Sequence, residues 1–161
     1  MTKTLIILFS YHHNNTQRIA EVFARVLDAE IKTPQETDPD QLQQYDLLGF
    51  GSGIYGYQHH KSLFDLAERL PQVTDKKAFI FSTTGAPVVF GESALTKALE
   101  YHIPLREKLQ SKGYIIVDEF ICAGFNTNSF IRIFGGINKG RPNAEDLRHA
   151  EEFAQNLKRN L

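Results

Sequence analysis

The chain has 161 residues, enough for one domain around one core, and 42% of them are hydrophobic. Eighteen Lys and Arg against 19 Asp and Glu leave a formal net charge of −1, so composition makes no electrostatic case for nucleic acid or an anionic membrane. The single cysteine, Cys122, excludes an internal disulfide and any multi-cysteine zinc or iron–sulfur site.

Taken in order, the predicted elements alternate between strand and helix. Residues 3–9 read as a first strand whose apolar run, 5–9, is too short for a signal-peptide core. No run of about 18 apolar residues follows anywhere, so a soluble, cytoplasmic chain with no membrane span is expected, and the Asn14-Asn15-Thr16 sequon has no secretory context. The loop Ser10-Tyr11-His12-His13-Asn14-Asn15-Thr16 leads into a helix over 16–27, with Ile19, Phe23, Val26 and Leu27 at helical spacing. Hydroxyls, amides and free backbone N–H groups at a helix N-terminus form a cup for an anion, here without lysine or arginine. A short strand at 30–32 precedes a polar segment with Pro34 and Pro39 and room for about one helical turn.

A third strand at 47–51 is followed by a helix over 60–70, and a fourth strand spans 78–82. The stretch 92–112 reads as a helix that Pro104 should kink or split. A fifth strand covers 114–122. Asn143 caps the last helix with Asp146 three residues on, and Leu147, Ala150, Phe153, Ala154 and Leu157 give its core face. Apolar, β-branched strands each followed by a helix imply a parallel sheet covered on both faces, hence a three-layer, doubly wound α/β domain spanning residues 1–161. Ligands of such sheets sit beyond the carboxyl ends of the strands.

Gly51-Ser52-Gly53-Ile54-Tyr55-Gly56 matches the dinucleotide fingerprint, but it follows the third strand rather than the first. Tyr57-Gln58-His59-His60 leads from it into the next helix, and the next strand ends in Ser82-Thr83-Thr84 without a ribose-binding carboxylate. It is therefore rejected as a Rossmann site. The pairs His12-His13 and His59-His60 follow neighbouring strands, but their loops supply no carboxylate or thiolate to complete a metal site. Phosphate contacts or solvated positions are the better account of these four imidazoles. His102 and His149 are expected on helix surfaces, and Cys122 in the core. No Ser-His-acid order and no carboxylate pair falls where catalysis would need it, so no catalytic residue is assigned.

Three segments, Ser10 to Thr16, Tyr45-Asp46-Leu47-Leu48-Gly49-Phe50-Gly51-Ser52-Gly53-Ile54-Tyr55-Gly56, and Ala78-Phe79-Ile80-Phe81-Ser82-Thr83-Thr84-Gly85-Ala86, together resemble the flavodoxin family, which binds FMN. Asn138-Lys139-Gly140-Arg141-Pro142-Asn143 before the last helix extends the resemblance over nearly the whole chain. It implies a five-stranded parallel sheet in the order 2-1-3-4-5 with FMN at the switch point. The matching phosphate positions are Ser10, Asn14, Asn15 and Thr16, with His12 or His13 as an extra donor. This loop is one residue longer than the family's common form and has histidines where threonine and glycine would sit.

The resemblance places the isoalloxazine ring against Gly53, Ile54, Tyr55 and Gly56, and against Thr83, Thr84 and Gly85. Tyr55 or Tyr57 is the stacking partner. Gly56 permits the peptide flip by which a flavodoxin carbonyl accepts a hydrogen bond from reduced flavin N5. Phe125, Phe130, Ile131, Ile133 and Phe134 make the loop after the fifth strand apolar. It is expected to fold over the core, the alternative being that it walls the flavin or meets a partner.

Acidic residues are missing from residues 52–61, 83–91 and 122–142, which contain Lys61, Arg132, Lys139 and Arg141. That basic rim differs from the acidic character of flavodoxins acting as low-potential carriers, and predicts a less negative potential for full reduction. The resemblance implies a monomeric electron carrier between a reductase donor and a protein acceptor, a weak dimer being the alternative. An FMN-dependent NAD(P)H oxidoreductase acting on a quinone or similar acceptor is the second reading. A phosphate-ligand module without redox function is the third.

Overall fold

A computed structural model describes residues 2–86 and 92–161. In chain order its elements are β1 (Thr4–Phe9), α1 (Asn15–Leu27), β2 (Glu30–Lys32), a 3₁₀ turn (Pro39–Gln44), β3 (Leu47–Tyr55), β4 (Gln58–His59), α2 (Lys61–Arg69) and β5 (Lys76–Thr84). There follow α3 (Glu92–Ala98), a 3₁₀ turn (Leu99–His102), α4 (Ile103–Ser111), β6 (Tyr114–Ala123), a 3₁₀ turn (Ser129–Phe134) and α5 (Ala144–Arg159). Five strands are parallel in the order β2-β1-β3-β5-β6. This is the order expected from the sequence once β4, a two-residue antiparallel addition to the end of β3, is set apart.

Alternation along the strands divides the apolar residues between two cores. Leu5, Ile7, Leu48, Phe50, Ala78 and Ile80 face Leu63, Leu66 and Ala67 of α2 and Leu105 and Leu109 of α4. Ile6, Leu8, Leu47, Phe79 and Phe81 face Ile19, Ala20 and Phe23 of α1 and Ala150, Ala154 and Leu157 of α5. Gly49 and Gly51 are required on the second face because the Phe79 and Phe81 rings of the neighbouring strand lie where their side chains would be. The fingerprint-like run thus makes a strand interior with room for two aromatic rings, not a phosphate turn.

β3 runs four residues beyond the expected strand end and folds back through Gly56 and Tyr57 into β4. Both turn residues have positive φ, 58° and 65°, as a two-residue hairpin matched to sheet twist requires. The stretch 92–112 splits rather than kinks, and Pro104 occupies the first turn of α4, where its missing N–H costs no hydrogen bond. α5 starts as expected: Asn143 accepts from the Asp146 N–H, and the Asp146 side chain accepts from the Asn143 N–H. Arg141 closes on the same buried Asp146 carboxylate through Nε and Nη2.

Two expectations for single residues fail here. His102 lies inside, 0% exposed, because the intervening 3₁₀ turn shifts the helical phase that would have put it outside. Its Nε2 meets Ser82 Oγ at 2.7 Å and its Nδ1 meets Glu119 Oε2 at 3.0 Å, with Arg106 also on Glu119. A Ser-His-acid chain therefore exists, but not where catalysis would need it: Ser82 is 0% exposed and no substrate carbonyl can reach its hydroxyl. Burial opposes ionisation of Glu119, yet the hydrogen bonds from His102 and Arg106 outweigh it and hold the carboxyl down at about 2. His59 is also buried rather than solvated: Nε2 sits 3.3 Å from the Phe81 carbonyl, and Nδ1 has no partner among the described residues.

Candidate functional site

A cavity opens at the carboxyl ends of β1, β3, β5 and β6, where ligands of such sheets sit. Its first wall follows β1. Ser10 Oγ accepts from the Gln17 N–H at 3.1 Å, so the strand-end serine caps α1, whose N-cap residue Asn14 makes no side-chain cap. His13 and Asn14 turn the chain through left-handed φ values of 52° each. Asn15 and Thr16 point inward and are buried.

These first-turn side chains connect the loops. Thr16 Oγ1 lies 2.9 Å from Thr83 Oγ1, and Asn15 Nδ2 donates to the Phe125 carbonyl at 2.9 Å. The histidines add a latch to the loop after β6: His12 Nε2 accepts from the Thr127 N–H at 3.3 Å, and His13 Nε2 meets Thr127 Oγ1 at 2.8 Å. Burial and then the neighbouring His13 lower the His12 pKa, which keeps its ring neutral and able to accept that bond.

Gly53, Ile54 and Tyr55 make the second wall. The Tyr55 ring is half-buried among Phe9, Tyr11 and His60, and burial, then Tyr11, push its hydroxyl up to about 12. It is a neutral phenol, able to donate. Thr83, Thr84 and Gly85 form the third wall. Gly85 is needed because Asn126 lies where a Cβ would project, just as Asn15 Nδ2 lies 2.7 Å from a Cβ at Gly124.

Ser10, His12, Asn15, Thr16, Gly53, Ile54, Tyr55, Thr83, Thr84 and Gly85 are thus brought together around one cavity. His13, Asn14 and Gly56 of the same expected set lie beside it rather than line it, and Tyr57 projects away, 76% exposed and against Tyr101. Sequence reasoning missed Gly124, Asn126 and Asn128, which complete the cavity with Phe125. Their signal was weak: a small residue and amides at the end of a strand.

The expected fold-back of the apolar loop fails at its tip, where Ile133 and Phe134 are 81% and 80% exposed. An Asn126–Ile137 bridge closes the base of that loop and holds the tip out beside the cavity wall. The Phe130 side chain and residues 87–91, part of the acid-free stretch 83–91, lie outside the described residues. The rim is also less basic than its composition. Lys61 pairs with Asp65 at 2.6 Å and Arg141 with Asp146 at 2.5 Å, leaving Arg132 and Lys139 exposed and without an ion pair among the described residues. His60 stacks on Phe9 and caps α2 through Nδ1. No three His, Cys, Asp or Glu side chains gather for a metal ion among the described residues, and no described helix is long and apolar enough to cross a membrane.

A family model described as a flavodoxin domain matches residues 6–113. An uncharacterized protein of Methanocaldococcus jannaschii is 44% identical over 158 residues, covering 98% of this chain and 99% of its own. Among solved structures, oxidised Flavodoxin 2 from Bacillus cereus superposes with a TM-score of 0.69 at 18% identity, covering 99% of each chain. An azoreductase from Bacillus anthracis does so at 0.60 and 11%, covering all of both chains. Strand order, the cavity at the switch point and the matched sequence model agree: the chain belongs to the flavodoxin family.

Proposed function

We propose that this chain binds FMN in the cavity and carries electrons between redox proteins, as a single monomeric domain of the cytoplasm. The observation that carries the reading is the joining of the loops after β1, β5 and β6 through Thr16–Thr83 and Asn15–Phe125. Those bonds gather the N-terminus of α1 and the loops after β5 and β6 around one space, which Gly53, Ile54 and Tyr55 also line.

The donor set fits the cofactor. Ser10, Asn15 and Thr16 offer neutral hydroxyl and amide groups at the positive end of α1, which suits a phosphate without a lysine or arginine. Asn14, His12 and His13 stand at the edge of that cup. Gly53, Ile54 and Tyr55 on one side and Thr83, Thr84 and Gly85 on the other bring backbone close, as a planar ring system needs, with Gly56 at the hairpin turn beyond. Tyr55 supplies an aromatic face fixed by its neighbours and a phenol that stays protonated.

When bound, the flavin would supply the redox chemistry. The protein's part is to hold the phosphate, orient the ring and leave its edge open toward a partner. Reconstituted protein reduced with dithionite should pass its electrons to a haem protein and show no steady NAD(P)H turnover. Arg132 and Lys139, exposed and without an ion pair among the described residues on the loop that supplies Asn126 and Asn128, favour a second reading, an NAD(P)H-dependent oxidoreductase, because they suit an anionic co-substrate. Steady NAD(P)H consumption with a quinone and no added reductase would select it.

A further inference from the structure

The four most exposed large hydrophobic side chains among the described residues are Ile133 (81%), Phe134 (80%), Tyr57 (76%) and Tyr11 (66%). All belong to loops at the carboxyl end of the sheet, the end that holds the cavity, yet none lines it. Single exposed hydrophobics are ordinary, but four converging on one end mark a surface shaped for contact. Tyr57 also has φ of 65°, a conformation that Gly or Asn would take with less strain.

Charge on the same loops has one sign. Residues 122–142 contain no Asp or Glu, and Arg132, adjacent to Ile133, and Lys139 are exposed without an ion pair among the described residues. The hairpin segment 52–61 is also free of acids. Aromatics and Arg enriched, acids depleted, is the compositional signature of a protein–protein interface core.

We infer that this rim docks a protein that presents an apolar socket for Ile133 and Phe134, ringed by carboxylates that pair with Arg132 and Lys139. The inference builds on the electron-carrier reading and adds the partner's sign: it is acidic where it meets the cavity mouth. An anionic protein is favoured over a lipid surface because the exposed apolar residues are not confined to the Ile133–Phe134 tip: Tyr11 after β1 and Tyr57 in the β3–β4 turn extend them over two further loops at the same end of the sheet. Interfaces of transient redox encounters are small, which two apolar anchors and two cations suit.

The test uses cytochrome c and its succinylated, acidic form as probes of one haem and opposite surface charge. Amide shifts of the isotopically labelled protein, with or without flavin, should move at 126–139 on adding the succinylated form and stay still with the basic form. With FMN bound, electron transfer to the succinylated form at low ionic strength should be about tenfold faster than to the basic form and slow as salt is added. The double variant Arg132→Glu and Lys139→Glu should invert that preference, and Phe134→Ser should lower the rate several-fold with FMN affinity unchanged. Faster transfer to the basic form, or no shifts at 126–139, would overturn the inference. So would sedimentation with phosphatidylglycerol vesicles that Phe134→Ser abolishes. Loss of FMN binding with the shifts intact would instead remove the electron-carrier reading and leave the docking surface standing.

Discussion

The least replaceable atoms of the site are missing ones. Asn15 Nδ2 and the Gly124 backbone occupy adjoining space, so a methyl group at Gly124 must displace the side chain that ties α1 to the Phe125 carbonyl. Gly124→Ala should weaken FMN binding by at least tenfold, read by fluorescence titration, while circular dichroism shows the fold intact. A buried imidazole gives a second prediction. Burial, and next the neighbouring His102, hold the His59 pKa down to about 3, against about 6.5 in an unfolded chain. Between those values the unfolded chain binds a proton that the folded one refuses. His59 therefore costs no stability above about pH 6.5, and stability falls by roughly 1.4 kcal/mol per pH unit below it. Urea unfolding at pH 6.5 and pH 5 should show this loss, and His59→Leu should remove most of it. Glu119, depressed to about 2, acts in a lower window: its contribution is complete above about pH 4.5 and is lost as pH falls toward 2.

Elements whose apolar residues recur at 2.0 or 3.6 were legible, because burial on one face imposes those periods. Residues 30–32 and the start of the last helix at Asn143 needed no revision. Asn143→Ala should cost about 1 kcal/mol in urea unfolding by removing the cap, while Asp146→Ala should cost more because it also leaves the Arg141 guanidinium unpaired. The β3–β4 hairpin escaped notice because its turn is Gly56-Tyr57 rather than an Asn-Gly pair. His102 was misplaced because a 3₁₀ turn ahead of Pro104 breaks the helical phase on which its expected exposure rested. In the candidate site, the loops after β1, β3 and β5 announce themselves by composition. The loop after β6 was read for its apolar residues, whereas its wall is made by Gly124, Asn126 and Asn128 together with Phe125.

For the whole molecule, a net charge of −1 conceals an uneven surface: among the described residues Arg132 and Lys139 are exposed without an ion pair, whereas Lys61 and Arg141 are paired with Asp65 and Asp146. The positive charge of Arg132 and Lys139 favours an anionic reduced cofactor. A redox titration should therefore give a final couple less negative than that of acidic flavodoxins, and replacing both cations by Gln should shift it negative. The account depends first on the cavity holding FMN by its phosphate as well as its ring. Titrating the apoprotein with FMN and, separately, with riboflavin tests this most directly. The account predicts a yellow one-to-one FMN complex with quenched flavin fluorescence, and riboflavin bound at least tenfold more weakly because nothing then occupies the α1 cup. A protein that stays colourless with FMN, or that binds riboflavin equally well, would contradict it.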